Sequence, residues 1–277
     1  MSAFSFSLMS LFVRLVGSRL PTLEVVFVRS VVTMLLTVAL LLRQGGGDWL
    51  GERRMLLFLR GAFGFAALSC FYHSVTALPL AEATVIQFTS PIFTAVLAAV
   101  YLGERATPRL VVALVLGLAG IVILTRPAVL FGGTSPLPTG VVLVGLTGAF
   151  LTSCAYVLVR RLAPSENELV IIFYFPLVAV PASLASAVPV WVWPSAWEWL
   201  LLLAVGCAAQ GGQLYLTRGM KHIQAFRGSV ILYLQVLFAA VLGVLVLGER
   251  PGLWTVGGSL LVLGGSFIAA RRPRLPA

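Results

Sequence analysis

The sequence predicts an all-α integral membrane protein of ten transmembrane helices, arranged as two inverted five-helix repeats. Three observations predict it. Of 277 residues, 60% are hydrophobic and 10% charged, with mean hydropathy +1.04; a soluble domain has about 45–50% apolar and about 25% charged residues. Basic residues collect on alternate connections between the apolar runs, as membrane topology demands. Two segments 145 residues apart read alike.

A spanning helix needs about 20 residues, so ten use roughly 200 and leave short loops. No length remains for a soluble domain. The runs alternate too weakly, and are too long, for barrel strands of about 10 residues. The net charge of +10 and pI of 10.6 invite a nucleic-acid reading. The charges sit at the ends of apolar runs, which excludes it. Cys70, Cys154 and Cys207 fall inside apolar runs without metal-type spacing and read as small core residues.

The spans follow in order. Residues 2–17 start almost at Met1, without the basic region or A-x-A site of a signal peptide; they read as a retained, short first helix. A native chain beginning upstream of Met1 would explain that shortness. The second span, 23–42, ends at Arg43 and a glycine run. The third, 56–76, lies between Arg53-Arg54 and Pro79. The fourth, 81–101, runs into Gly103-Glu104-Arg105. The fifth, 109–125, stops before a Pro/Gly-rich connection, which marks a loop. Spans six and seven, 139–159 and 168–188, are parted by Arg160-Arg161 and Pro164. Trp191, Trp193, Trp197 and Trp199 flank the seventh and eighth (197–217) and read as an interfacial belt. The ninth, 224–246, and tenth, 252–270, are parted by Gly248-Glu249-Arg250-Pro251.

One set of connections holds fourteen basic residues: Arg43, Arg53, Arg54, Arg60, Arg105, Arg109, Arg160, Arg161, Arg218, Lys221, Arg227, Arg271, Arg272 and Arg274. The alternate set holds four: Arg14, Arg19, Arg126 and Arg250. Arg29 lies inside a span. This asymmetry predicts both termini in the cytoplasm and hence an even number of spans.

Ala83-Thr-Val-Ile-Gln-Phe-Thr-Ser-Pro leads to Leu102-Gly-Glu-Arg105, and Gly228-Ser-Val-Ile-Leu-Tyr-Leu-Gln-Val leads to Leu247-Gly-Glu-Arg250. The ungapped offset reaches Gly120 and Gly265, and Phe12-Val-Arg14 echoes Leu158-Val-Arg160. The predicted repeats are 1–127 and 128–277. Five spans each is odd, so the second copy enters the membrane upside down, the architecture of secondary transporters. These features resemble the EamA-type branch of the drug/metabolite transporter superfamily. Pro91 matches a proline usual in that motif; Val236 replaces it in the second copy. With Phe71-Tyr72-His73-Ser74, the chain looks most similar to YddG-type exporters of aromatic and other neutral amino acids. That resemblance alone implies export, and a bacterial inner membrane as the site.

Polar residues at membrane depth default to function. Ser69, Tyr72, His73 and Thr76 share one face of span three. They are expected to wall a pocket for an amino-acid zwitterion; a structural hydrogen bond is the alternative, or for His73 a proton relay. Thr84, Gln87 and Pro91 share a face of span four, where Pro91 is expected to kink the helix and free a carbonyl. Gln210, Gln213 and Thr217 align on span eight. Tyr233 and Gln235 stand at the repeat positions of Phe88 and Ser90. Ser153, Tyr156 and Arg160 align on span six, with Arg160 expected to snorkel. Tyr174 is a further candidate. Arg29 near Glu24 is expected either to hold a carboxylate or to close the outer end, and Glu82 to favour a helix N-terminus. The substrate-binding set is thus Arg29, Tyr72, His73, Thr76, Gln87, Tyr156, Gln210, Gln213, Tyr233 and Gln235, with Pro91 as the kink.

With one intramembrane arginine and no evident mid-membrane carboxylate, the cavity is expected to suit neutral or zwitterionic substrates rather than phosphates or drug cations. Uniport and proton antiport both fit. The rival readings are a proton-coupled multidrug or cation exporter and an intramembrane acyltransferase using His73. No phosphate-cradling or zinc-protease motif occurs, and Asp48 is the one aspartate. No catalytic residue, metal or cofactor is expected. The expected partners are a small-molecule substrate, amino acids foremost, and the lipid bilayer, without nucleic acid.

Overall fold

In hydrocarbon every backbone N–H and C=O must find its partner within the protein, and a helix achieves this inside its own segment. The computed structural model describes residues 1–16, 19–45, 49–78, 80–125, 138–248 and 252–270. Its helices are α1 (Ser2–Val16), α2 (Thr22–Arg43), α3 (Arg54–Ala77), α4 (Leu80–Gln87), α5 (Ser90–Leu102) and α6 (Pro108–Thr125). Then follow α7 (Thr139–Leu162), α8 (Glu168–Ala187), a 3₁₀ turn at Val188–Val190, α9 (Ala196–His222), α10 (Ala225–Ile231), α11 (Leu234–Leu247) and α12 (Leu253–Ala270).

Among the described residues, eight stretches are long and apolar enough to cross a membrane: Thr22–Arg43, Arg54–Val75, Ala83–Leu102, Thr139–Leu162, Glu168–Val190, Ala196–His222, Ala225–Leu247 and Leu253–Ala270. Ser2–Val16 and Pro108–Ile123 are shorter apolar helices. The chain is a multi-pass, all-helical membrane protein. Every expected span has a helix within a few residues of its bounds, but spans four and nine are each divided in two.

Both divisions have the same build. Around Phe88 the ladder tightens to three-residue bonds, Thr89 N–H to Ile86 O at 3.1 Å and Ile92 N–H to Thr89 O at 2.9 Å. Around Leu232 the equivalents are Tyr233 N–H to Val230 O at 3.1 Å and Gln235 N–H to Leu232 O at 2.9 Å. Pro91 sits in the first turn of α5, where its missing N–H has no intrahelical partner to lose. Pro91 therefore restarts a helix rather than bending one. The second division has no proline, and nothing in the local sequence explains it.

The chain divides into two compact units. Unit one comprises Met1–Ala66 and Leu158–His222; unit two comprises Ala67–Val157 and Ile223–Ala277. In unit one, α1 lies against α9, with Ser2 Oγ donating to Gly212 O at 2.8 Å. Val25, Val28, Val32, Leu201 and Leu202 form its apolar centre. The α3–α8 contact is close: a Cβ on Gly61 would lie 2.3 Å from Tyr174 O, and one on Gly64 would lie 3.0 Å from the Phe175 ring. The connection before α3 is tied down by Tyr174 Oη donating to Leu50 O (2.8 Å) and by Arg53 N–H donating to Glu166 (2.7 Å). Arg19 pairs with Glu198 through Nε at 2.7 Å.

In unit two, α6 and α12 pack reciprocally. A Cβ on Gly120 would meet Gly258 O at 2.7 Å, and a Cβ on Gly265 would meet Ala113 O at 2.7 Å. Positions 113 and 258, like 120 and 265, are 145 apart. Leu110, Ile121, Phe226, Val230, Tyr233 and Val262 fill the core. α5 and α11 end in left-handed glycines, Gly103 at φ 66° and Gly248 at φ 67°.

Candidate substrate site

The polar groups of unit one converge. Arg29 is the eighth residue of α2 and Arg60 the seventh of α3. Both are deep in the fold, 6% and 3% exposed. Each guanidinium carbon lies 5.7 Å from the centroid of the same ring, Phe175 of α8, within cation–π range. Two cationic groups thus approach one ring. Arg60 also donates to Gln213 Oε1 of α9 at 2.7 Å.

Gln210, one turn before Gln213 on the same face, accepts from Thr37 Oγ1 at 3.2 Å. Its amide Nε2 is buried and has no hydrogen-bond partner among the described residues; the hydroxyls of Thr33 and Thr217 share that condition. Arg29, Thr33 and Thr37 recur every four residues and so line one face of α2. Gln210, Gln213 and Thr217, spaced three and four residues apart, likewise line one face of α9. Gly61 and Gly64 bring α3 close enough to α8 for Arg60 to reach Phe175.

The structure corrects the reading of Arg60 as a connection charge and, with it, the count of one intramembrane arginine. A charge near a span end can reach outward or inward, and helix packing decides which. Glu24 is also corrected: near the start of α2, it is 0% exposed. Its Oε2 accepts from Val192 N–H at 3.0 Å, and its Oε1 has no partner among the described residues. Arg160 caps the end of α9 through Met220 O and Lys221 O, at 2.8 and 2.9 Å. Thr33 and Thr37 were legible from their spacing with Arg29; Phe175 carried no sequence signal.

The remaining candidates lie in unit two. Gln87 Nε2 donates to Thr152 Oγ1 at 3.0 Å. Tyr233 is fully buried, donates its hydroxyl to Phe88 O at 2.8 Å and packs edge-on to the Phe88 ring. It braces the division between α4 and α5. Tyr72, Tyr156 and Gln235 are half-buried, and His73 and Ser69 are exposed. The side chains of Thr76 and Glu82 lie outside the described residues, as do Glu249 and Arg250. Glu104 of the first Leu-Gly-Glu-Arg accepts from Ala225 N–H at 2.9 Å, so this motif caps α10.

Comparison with known proteins now decides the family. The profile of the EamA-like transporter family matches residues 1–126 and 139–271. The chain belongs to the EamA-like transporter family. It is a membrane transporter of the drug/metabolite transporter superfamily, not an enzyme. This EamA-like chain is 32% identical to a pseudopaline exporter of Pseudomonas aeruginosa, over 98% of this chain and 94% of that protein. It is 25% identical to an S-adenosylmethionine uptake transporter of Rickettsia prowazekii, over 89% of this chain and 82% of that one. A solved crystal structure shares its fold at TM-score 0.84 and 22% identity, covering 97% of this chain and 94% of that chain.

Proposed function

We propose that this EamA-like protein exports small metabolites, amino acids including aromatic ones foremost, by alternating access between two inverted five-helix repeats. The observation that carries the mechanism is geometric recurrence at a spacing of 145 residues. α4 and α10 begin 145 apart, α6 and α12 share both ends at that spacing, and Gly103 and Gly248 cap at that spacing. The two family matches fall one in each expected repeat, 1–127 and 128–277. Counting α1 and α6 as spans gives ten crossings, and five per repeat inverts the second copy. A pair of repeats with matching divided helices suits the rocking that exposes a site first to one side and then to the other.

Export is favoured because the more similar of the two relatives named above is an exporter. Amino acids are favoured because hydrogen-bonding and aromatic side chains lie buried or half-buried on the helices: Arg29, Gln210 and Gln213 in unit one, and Tyr72, Gln87, Tyr156 and Gln235 in unit two; His73 and Thr76 stay in the proposed set by their place on the face of Tyr72. The proposed membrane is a bacterial inner membrane, which the resemblance and the bacterial exporter among the relatives support, with both termini cytoplasmic by the distribution of basic residues.

Buried Glu24, with one carboxylate oxygen unpartnered among the described residues, favours a second reading, proton-coupled export of cations. Flux into proteoliposomes separates the two. Labelled phenylalanine, threonine and a lipophilic cation are each supplied with and without a pH gradient. Phenylalanine and threonine flux without the gradient supports the first reading. Cation flux that needs the gradient, and fails in Glu24→Gln, replaces it with the second.

A further inference from the structure

We propose that one end of unit one is a seat for anionic phospholipid headgroups. It is the end where α2, α7 and α9 finish and α3 and α8 start. Hydrogen bonds and an ion pair fix these five helix ends beside one another. Asn167, the N-cap of α8, donates from Nδ2 to Gln44 Oε1, the C-cap of α2, at 2.9 Å. Its neighbour Glu166 accepts from the N–H of Arg53 at the entry to α3, at 2.7 Å. Arg160 of α7 reaches the Met220 and Lys221 carbonyls of α9, and Arg218 of α9 pairs with Glu168 of α8.

Cations outnumber carboxylates at this end. Arg43, Arg53, Arg54, Arg160, Arg161, Arg218 and Lys221 stand with Glu52, Glu166 and Glu168. Two of those carboxylates are engaged within the fold. Glu166 is 7% exposed and turned to the backbone N–H groups of Glu52 and Arg53, and Glu168 is held by Arg218. Arg43, Arg53, Arg161 and Lys221 are exposed, and their side chains make no hydrogen bond or ion pair among the described residues. At the other end of the unit, Arg14 and Arg19 are matched in number by Glu24 and Glu198. The open cations also border apolar surface. Leu35 and Leu42, seven residues apart, form an exposed stripe on α2 that ends beside Arg43. Exposed Met55 and Phe58 follow Arg54 on α3, and exposed Tyr215 precedes Arg218 by one turn. A ligand that suits both features carries an anionic head on apolar chains, which describes an anionic phospholipid and neither free phosphate nor nucleic acid. The guanidinium fork matches a phosphate. Attraction to a headgroup fades within a Debye length, so cations from separate helices act together because the bonded helix ends keep them close.

The test is lipid binding to the purified full chain in detergent, read by native mass spectrometry. Dioleoylphosphatidylglycerol is titrated beside dioleoylphosphatidylcholine, with glycerol 1-phosphate as the soluble competitor. Phosphatidylglycerol should bind at least about tenfold more tightly than phosphatidylcholine. That preference should narrow as ammonium acetate is raised, and glycerol 1-phosphate should displace neither lipid at equal concentration. Each cation near an anionic headgroup contributes roughly fivefold, so Arg43→Gln with Arg53→Gln should weaken phosphatidylglycerol about 25-fold and leave phosphatidylcholine unchanged. Arg105→Gln with Arg109→Gln removes the same charge from exposed positions of unit two and should leave phosphatidylglycerol affinity within about twofold.

Equal binding of the two lipids would overturn the seat, and so would displacement by glycerol 1-phosphate, which would make it a site for free phosphate esters. Equal losses in the two double variants would overturn it as well, because they would show attraction to net charge and not to this end of unit one. The comparison of the two lipids on the unaltered chain decides the matter if a variant does not fold.

Discussion

Arg60 and Tyr233 show how far a side chain's chemistry leaves its role open. Both are polar residues within apolar stretches; the sequence reads Tyr233 as a substrate contact and Arg60 as a connection charge. Arg60 turns inward to the Phe175 ring and Gln213. Tyr233 holds a backbone carbonyl that the divided helix leaves without an intrahelical donor. Removing that hydroxyl should therefore act on stability. Tyr233→Phe leaves Phe88 O unsatisfied among apolar side chains, at a cost of about 1–3 kcal/mol. The expected readout is a lower unfolding temperature in detergent with substrate affinity retained. A loss of affinity at unchanged unfolding temperature would return Tyr233 to the site. The convergence of Arg29, Gln210 and Gln213 was legible only as matching faces on separate helices. Arg60 was hidden because a charge six residues into a span looks the same whether it reaches for water or for a ring.

At the scale of elements, packing distance and backbone sign decide what glycine does. Gly61 holds α3 against α8, and its Cβ position is 2.3 Å from a backbone carbonyl. Backbone cannot rotate away as a side chain can, so Gly61→Ala must part the two helices, at a cost of about 1–3 kcal/mol. Gly219 is within α9 and has nothing within 4 Å of its Cβ position. Gly219→Ala should be neutral or stabilise by up to about 1 kcal/mol through helix propensity. Thermal unfolding of the pair checks both signs, and equal effects would mean that the α3–α8 approach is looser than described. At Gly103 and Gly248 the left-handed φ is the constraint, with open space around both. Alanine should cost about 1–2 kcal/mol at each, and nearly the same at both. Unequal costs would argue against equivalent roles in the two repeats.

For the whole molecule, charge distribution makes the sharpest statement. If both termini are cytoplasmic, single cysteines introduced at Arg105 and Arg161, in a chain with Cys70, Cys154 and Cys207 replaced, should react with an impermeant maleimide only after the cells are opened. A cysteine at Arg19 should react in intact cells. The reverse pattern would turn the protein over and exchange the proposed inner and outer ends. The reciprocal contacts of α6 and α12 match the proposed repeat: each helix meets the other with a glycine at positions 145 apart, Gly120 and Gly265.

The sequence by itself determined the membrane class and the place of every helix to within a few residues. These follow from composition and period, because a chain in hydrocarbon has few ways to satisfy its backbone. The tertiary structure alone decided which polar side chains meet. It divided spans four and nine, buried Glu24, and set Arg29 and Arg60 against one phenylalanine that carries no polar signal of its own. Those outcomes depend on close approach between helices distant in sequence, α3 against α8 through Gly61 and Gly64 above all. Periodicity within one helix records which face is polar, and only the packing of another helix against it fixes what that face touches.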